Sequence, residues 1–144
     1  KFEYNQKDFY IYGNQFIPAI VDATLEERIE IQSEFEMFFS GGTILHANFI
    51  EKIPTAVMMK DFIKHIVKSG VKYFAINYTF NLCKNNHYTV GINNTCPECG
   101  AEIKNRYTRI VGYFVSITSW SSERVKEFFG RIRYGISNNI RRSA

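Results

Sequence analysis

The chain has 144 residues, of which 45% are hydrophobic and 16% aromatic, and its formal net charge is +4. This length fits one compact domain, and this apolar content excludes a disordered or low-complexity protein. No stretch approaches the roughly 18 apolar residues of a membrane-spanning helix, and residues 1–20 lack the apolar core of a signal peptide. Three cysteines cannot build a disulfide framework. We therefore expect a cytoplasmic protein.

Basic residues concentrate in the last third of the chain. Residues 1–100 carry 9 Lys+Arg and 11 Asp+Glu, whereas residues 101–144 carry 9 and 3. A basic segment of this kind contacts nucleotides, nucleic acid or an acidic surface, or it is a solvated helix face with a basic tail. Charge alone favours the solvated face.

The first 82 residues predict alternating helices and strands. Thr24 and Glu27 form a capping-box pattern that predicts a helix over 25–38. A short buried strand is predicted over 42–46, and an amphipathic helix over 55–69. A long strand is predicted over 71–82, because apolar residues alternate there. Helix, glycine and strand in succession are typical of an α/β protein.

The remaining residues predict a loop, a strand and a helix. Residues 83–100 are rich in Cys, Asn, Gly and Pro and have no apolar period. A strand is predicted over 107–115 and a helix over 122–134. The apolar stripe of that helix is expected to be core, and it comprises Val125, Phe128, Phe129 and Ile132.

The loop contains all three cysteines at metal-ligand spacing. Cys96 and Cys99 flank two residues, as in a zinc knuckle, and Cys83 with His87 completes a Cys3His set. Four protein ligands leave no open position, so a structural zinc is expected, and the histidine favours zinc over an iron–sulfur cluster. A plain two-residue spacing would instead place Asn86, a poor zinc ligand, fourth. The alternative is a loop of free cysteines in which Cys83 is merely buried.

Gly112 lies in the segment RIVGYF at residues 109–114. Alone, such a glycine usually marks a β-bulge or a close contact. Here the zinc-knuckle pattern precedes it, and the segment SITSW at 116–120 and an amphipathic helix follow it. This combination gives the glycine a significance that the short motif lacks.

Together, these segments resemble the C-terminal region of anaerobic (class III) ribonucleoside-triphosphate reductase. The resemblance covers nearly the whole chain and rests on the order and spacing of its motifs. These are YGNQFIP at 12–18, SGGTILH at 40–46, SGVKYFAIN at 69–77, the Cys/His cluster and RIVGYF at 109–114.

The resemblance implies that Gly112 carries a stable backbone radical. A separate radical-SAM activase, with an iron–sulfur cluster and S-adenosylmethionine, would abstract its hydrogen. The radical would pass to a barrel cysteine, whose thiyl takes the ribose 3′ hydrogen of a ribonucleoside triphosphate. The 2′ hydroxyl would leave as water, and formate or a thiol system would supply the electrons. The family's zinc site, usually four cysteines and sometimes three with a histidine, would match Cys83, His87, Cys96 and Cys99.

The expected fold is therefore α/β, with three parts. Residues 1–82 would be the last strands and helices of a glycyl-radical-enzyme barrel, 83–103 a zinc ribbon, and 104–144 the radical loop and C-terminal helix. With every cysteine assigned to zinc, none remains for the thiyl, and Lys1 replaces an initiating Met. We therefore expect a fragment or a separate subunit of the reductase.

The implied partners are the barrel portion in the same or another chain, the activase, the nucleotide and a second copy in a homodimer. No membrane or nucleic acid partner is expected. Two alternatives are a stand-alone zinc-ribbon module that binds nucleic acid and a spare-part protein that repairs a cleaved glycyl-radical enzyme. Asn14 could line the nucleotide site, His46 is expected to be a core histidine, His65 a surface partner of Asp61, and Trp120 an anchor for the radical loop.

Overall fold

The computed structural model describes residues 15–110 and 113–136, and the backbone of 141–142. Gly112 and Asn14 lie outside these residues. The elements are listed in chain order: α1 Leu25–Glu36, β1 Leu45–Asn48, α2 Ala56–Lys68, β2 Phe74–Asn77, β3 Phe80–Cys83, β4 Tyr88–Val90, β5 Ile103–Ile110, β6 Tyr113–Ser116, a 3-10 turn Ile117–Ser119, α3 Ser122–Gly130, β7 Arg133–Tyr134 and β8 Arg141–Arg142. This mixture confirms the predicted α/β class.

The capping box predicted for α1 is confirmed. The Glu27 amide donates to the Thr24 hydroxyl at 3.1 Å, and the Thr24 amide donates to the Glu27 carboxylate at 2.6 Å. The inner face of this helix is polar as well as apolar, because Arg28 is buried. Its guanidinium donates to the carbonyls of Ile17 and Val21 and to the Tyr134 hydroxyl. Those bonds attach α1 to both ends of the described chain.

Helix α2 connects β1 to β2, which pair in parallel. Its start matches the prediction, since the Thr55 hydroxyl accepts the Met58 amide at 3.2 Å. The apolar stripe predicted for this helix comprises Met59, Phe62, Ile63, Ile66 and Val67. Within it, Ile66 is buried with Ile29, Leu45 and Val71, whereas Val67 is 58% exposed. The stripe is therefore only partly covered by the described residues. His65 pairs with Glu26 at 2.9 Å, so the predicted partnership with Asp61 is wrong.

The single strand predicted over 71–82 is two strands in different sheets. β2 pairs with β1, whereas β3 joins a four-stranded antiparallel sheet in the order β4-β3-β5-β6. The alternation of apolar residues continues across the break at 78–79, which is why the sequence pattern conceals it. The predicted strand over 107–115 is likewise the hairpin of β5 and β6, in which Ile110 pairs with Tyr113.

Helix α3 ends at Gly130, four residues before its predicted end. The chain then extends, and the Ile132 amide donates to the Ala19 carbonyl at 2.8 Å. Ile132 packs with Tyr134 and Phe49 in a second core cluster, because a tertiary contact overrides the helical period. Phe128 is fully buried as predicted, while Phe129 is 41% exposed.

Among the described residues, no helix is long and apolar enough to cross a membrane. Strands β1 and β2 run in the same direction, so their carboxyl ends lie side by side. The predicted metal ligands lie in the antiparallel sheet and its loops. The division into parts at residues 82 and 103 and the barrel itself stay predictions.

Candidate metal centre

Four side chains from the antiparallel sheet and its loops meet at one point. Cys83 is the last residue of β3, His87 precedes β4, and Cys96 and Cys99 lie in the loop before β5. One ligand atom from each residue lies within 4.8 Å of the others. The sequence predicted these four residues by spacing alone.

The distances fit a tetrahedral ion. The Sγ atoms of Cys83 and Cys99 are 3.8 Å apart, and Cys96 Sγ is 3.8 Å from His87 Nδ1. Zinc–sulfur bonds of about 2.3 Å give tetrahedral edges of about 3.8 Å. The donor set of three thiols and an imidazole is also one that zinc prefers. The residues present therefore fit zinc, with all four positions filled by protein.

Two tight turns bring the ligands together. Asn86 has φ +63°, a left-handed conformation that Asn tolerates, and its amide donates to the Cys83 carbonyl at 3.0 Å. Gly100 has φ +70°, and its amide donates to the Cys96 carbonyl at 2.8 Å. Asn86 occupies the position that a two-residue spacing would assign to the fourth ligand. It forms a turn instead, and this turn directs His87 toward the cysteines.

The environment favours thiolate at Cys99. The backbone amide of Ala101 is the largest of the effects that lower the pKa of Cys99 to about 6, and the Asn85 amide adds a contact of 3.5 Å. Burial instead raises the pKa of the Cys96 thiol. The His87 backbone amide donates to Cys83 Sγ at 3.3 Å. Hydrogen bonds of this kind stabilise metal-bound sulfur and orient it.

A second polar cluster lies in the parallel sheet. It contains His46, which the sequence predicted as a core histidine, together with Asn77 and Asn48, which the sequence did not predict as its partners. His46 Nδ1 accepts a hydrogen bond from Asn77 Nδ2 at 2.9 Å, and Asn77 Nδ2 also lies 3.3 Å from Asn48 Oδ1. Burial, and then the charges of Arg131 and Arg109, lower the pKa of His46 to about 4. In the sequence, Asn48 and Asn77 are polar residues, and they are the last residues of β1 and β2. Recognising the cluster would have required knowing that these strands are parallel neighbours.

Trp120 contacts the helix that follows it, which is one half of the predicted anchor, while its link to the radical loop stays a prediction. Its ring meets the Phe128 ring edge-on with centroids 6.0 Å apart. Gly112 lies between β5 and β6 in the sequence, outside the described residues, so its radical role stays a prediction.

Comparisons with known proteins agree on one family. The family model described as anaerobic ribonucleoside-triphosphate reductase matches residues 1–134. No curated protein matches the chain.

Solved structures give the same result. One anaerobic ribonucleotide reductase is 33% identical over 89% of this chain, with a TM-score of 0.74. The Thermotoga maritima enzyme with glycerol in the active site is 34% identical over 83%, with a TM-score of 0.65. The same enzyme in complex with dATP and CTP is 34% identical over 83%, with a TM-score of 0.62.

The chain spans about a fifth of these reductases: 20%, 19% and 19% of their lengths, respectively. The family match spans both the Cys/His cluster and the sequence motif around Gly112. The chain therefore belongs to the anaerobic ribonucleoside-triphosphate reductase family.

Proposed function

We propose that this chain is the glycyl-radical-bearing C-terminal part of an anaerobic ribonucleoside-triphosphate reductase. The whole enzyme is an oxidoreductase that converts ribonucleoside triphosphates into deoxyribonucleoside triphosphates. Support comes from the family match over residues 1–134 and from relatives that include a complex with dATP and CTP. The observation that carries the proposal is a four-ligand cluster in the same sheet as the two strands that flank Gly112.

The cluster is proposed to hold zinc in a structural role. When bound, zinc would cross-link the β3 end to the knuckle loop and leave no position for substrate. Cys83 pairs with Ile103, the first residue of β5, so the cluster adjoins the start of that strand. The other end of β5 pairs with β6 through Ile110 and Tyr113. The metal ligands are thereby connected to the Gly112 segment through one continuous strand.

Glycine suits a backbone radical for physical reasons. A Cα radical is most stable when it is planar and conjugated with both neighbouring amides, and a side chain would crowd that plane. Without a Cβ, glycine also allows a close backbone approach. In the proposed reaction Gly112 gives one hydrogen atom to the activase, and its radical later takes one from a barrel cysteine. The cofactor chemistry is the activase's, while this chain supplies the position and the exclusion of water.

The proposed organisation follows the same reasoning. Residues 1–82 would complete a barrel, 83–103 form the ribbon, and 104–144 the radical loop and closing helix. The partly exposed apolar stripe of α2 and the exposed aromatic residues near the end of α1 support further polypeptide covering these surfaces. The barrel portion, the radical-SAM activase and a second copy of the enzyme are the proposed partners, and a reducing cytoplasm is the proposed location.

Electron paramagnetic resonance tests the proposal. The full-length protein, activated anaerobically with its activase and S-adenosylmethionine, should give a doublet that collapses when glycine is deuterated at Cα. Gly112→Ala should abolish the doublet and turnover while zinc content stays unchanged. A doublet that persists in Gly112→Ala, or no signal from zinc-loaded wild-type protein, would contradict the assignment.

A further inference from the structure

The Cys/His cluster is buried on one side and open on the other. Cys83 and Cys96 are 0% and 2% exposed. The side chain of His87 is 41% exposed, and Cys99 is an exposed cysteine. When four protein ligands fill a tetrahedral ion, the ion can enter or leave only while one ligand is displaced. Exchange with solvent therefore begins at the open corner, which His87 and Cys99 form.

His87 is the more easily displaced ligand of this corner. An imidazole binds a metal as a neutral group, whereas Cys99 would bind as a thiolate with a stronger Coulomb attraction. Asn85 Nδ2 also donates to Cys99 Sγ at 3.5 Å, and such contacts hold metal-bound sulfur in place. His87 Nδ1 lies 3.8 Å from Cys96 Sγ, so this nitrogen faces the cluster. Displacement of His87 would open the position that Nδ1 fills.

A carboxylate outside the cluster faces the same nitrogen. Glu98 Oε2 lies 3.8 Å from His87 Nδ1, and the Glu98 side chain is 57% exposed. Two ligands that bind tetrahedral zinc through nitrogen and oxygen at about 2.1 Å lie about 3.4 Å apart. Glu98 is therefore within a small side-chain movement of the position that His87 occupies, although it is not one of the four clustered residues.

The backbone keeps Glu98 beside the cluster. The Cys96 amide donates to the Ala101 carbonyl at 2.7 Å, and the Gly100 amide donates to the Cys96 carbonyl at 2.8 Å. These bonds close the turn that contains Glu98. Within the described part of the chain, no lysine or arginine lies at salt-bridge distance from Glu98, whereas Glu102 pairs with Lys84 at 2.5 Å. Its carboxylate is thus positioned near His87 and is not held by a competing cation.

We propose that Glu98 is the entry ligand of the zinc site: its carboxylate binds the ion while His87 is displaced, and His87 then replaces it. Carboxylate oxygen is an ordinary zinc ligand, and zinc can expand to five ligands. As the ion enters, the cysteine thiols release their protons to solvent, and Glu98 leaves the resting site as a free carboxylate. The inference rests on the proposed function, because it requires zinc in the cluster.

The test compares the rate of zinc release with the equilibrium affinity for zinc. A group that binds the ion only during exchange lowers one barrier, so it speeds entry and release by the same factor and leaves the dissociation constant unchanged. Release is measured on the full-length, zinc-loaded protein without activation. Zinc is transferred to an excess of a fluorescent chelator, and the rate is extrapolated to zero chelator concentration. Competition with the same chelator gives the dissociation constant.

Matched variants decide whether Glu98 is responsible. Glu98→Gln should slow release by about tenfold while the dissociation constant stays within about twofold. Glu98→Asp keeps a carboxylate and should slow release by less. Glu102→Gln removes the same charge from another exposed position near Cys99 and should leave both quantities within about twofold. Equal slowing in Glu102→Gln, or an unchanged release rate in Glu98→Gln, would overturn the proposal.

X-ray absorption at the zinc edge shows whether Glu98 belongs to the resting site. Wild type and Glu98→Gln should both have three sulfur ligands and one imidazole. A ligand lost in Glu98→Gln, with weaker binding, would show a permanent ligand and overturn the proposal. Unchanged release from a zinc-loaded protein would leave the proposed zinc site and the spectroscopic test of Gly112 unaffected, and failure of that test would leave the exchange result standing. A protein that binds no zinc would overturn this inference and the zinc assignment together.

Discussion

At the scale of single residues, the sequence predicted the Cys/His cluster and a core position for His46, but not the partners of His46. Ligand spacing is local, so Cys83, His87, Cys96 and Cys99 could be recognised without knowing the sheet. His46 and Asn77 are 31 positions apart and meet only because β1 and β2 are parallel neighbours. Long-range pairing of this kind leaves no periodic signal in the chain.

Replacing a ligand should remove the metal. Cys96→Ser and His87→Ala should lower zinc from about one per chain toward zero, because three remaining donors hold the ion far more weakly. His87→Cys should retain it, since a thiolate can fill the same position. Metal analysis of the purified protein measures this.

Lys104→Gln is the control for the ligand variants, because Lys104 is an exposed residue of β5 and is not in the cluster. It should bind zinc normally. Full zinc content in His87→Ala would show that the fourth ligand is another group.

His46 should make stability depend on pH. Its folded pKa of about 4 lies below the ordinary 6.5, so the unfolded state binds more protons between these values. The stability is complete above pH 6.5 and is lost as the pH falls toward 4. Between pH 7 and 4.5 the wild type should lose about 2 kcal/mol more than His46→Gln, measured by urea unfolding. Identical profiles for the wild type and His46→Gln would refute the prediction.

At the scale of elements, helix starts were predicted well and strand limits poorly. The caps at Thr24 and Thr55 are formed by hydrogen bonds between residues three positions apart, so a local stretch of sequence is enough to predict them. The division of 71–82 into β2 and β3 depends on which sheet each half joins. The early end of α3 likewise depends on Ile132 bonding to Ala19, more than one hundred residues away.

The end of α3 should depend on the pair formed by Glu127 and Arg131. Both side chains are 9% exposed and share two hydrogen bonds, so Glu127→Ala leaves a buried guanidinium without its carboxylate. We expect a loss of about 3 kcal/mol in the free energy of unfolding. Glu123→Ala, in the exposed first turn of α3, should change it by about 0.5 kcal/mol or less. Equal effects in denaturant titrations would contradict this account.

At the scale of the whole molecule, the family could be predicted because several motifs occur together in order. The surfaces that contact further polypeptide could not be predicted in the same way. Met37 and Phe38, just beyond α1, are 72% and 75% exposed, which is unusual for adjacent large apolar residues. The sequence shows them as apolar but carries no information on what covers them.

These residues should promote self-association when the 144-residue chain is produced alone. The double variant Met37→Ser, Phe38→Ser should shift the chain toward monomer in sedimentation experiments, because it removes exposed apolar surface. Its unfolding free energy should change by about 0.5 kcal/mol or less, since little burial is lost. Tyr73→Ser, 60% exposed at another site, is the control. Unchanged association in the double variant would show that this surface is not responsible.

Strand β5 links two places that have different chemistry. Its first residue pairs with Cys83 of the Cys/His cluster, and its eighth and last pairs with the residue that follows Gly112. At about 3.3 Å per residue the strand covers roughly 26 Å. Chelation should therefore increase amide hydrogen exchange first beside Ile103 and later toward Ile110. On the proposed function, a metal chelator would act on the Gly112 segment from a distance, by fraying the strand that leads to it.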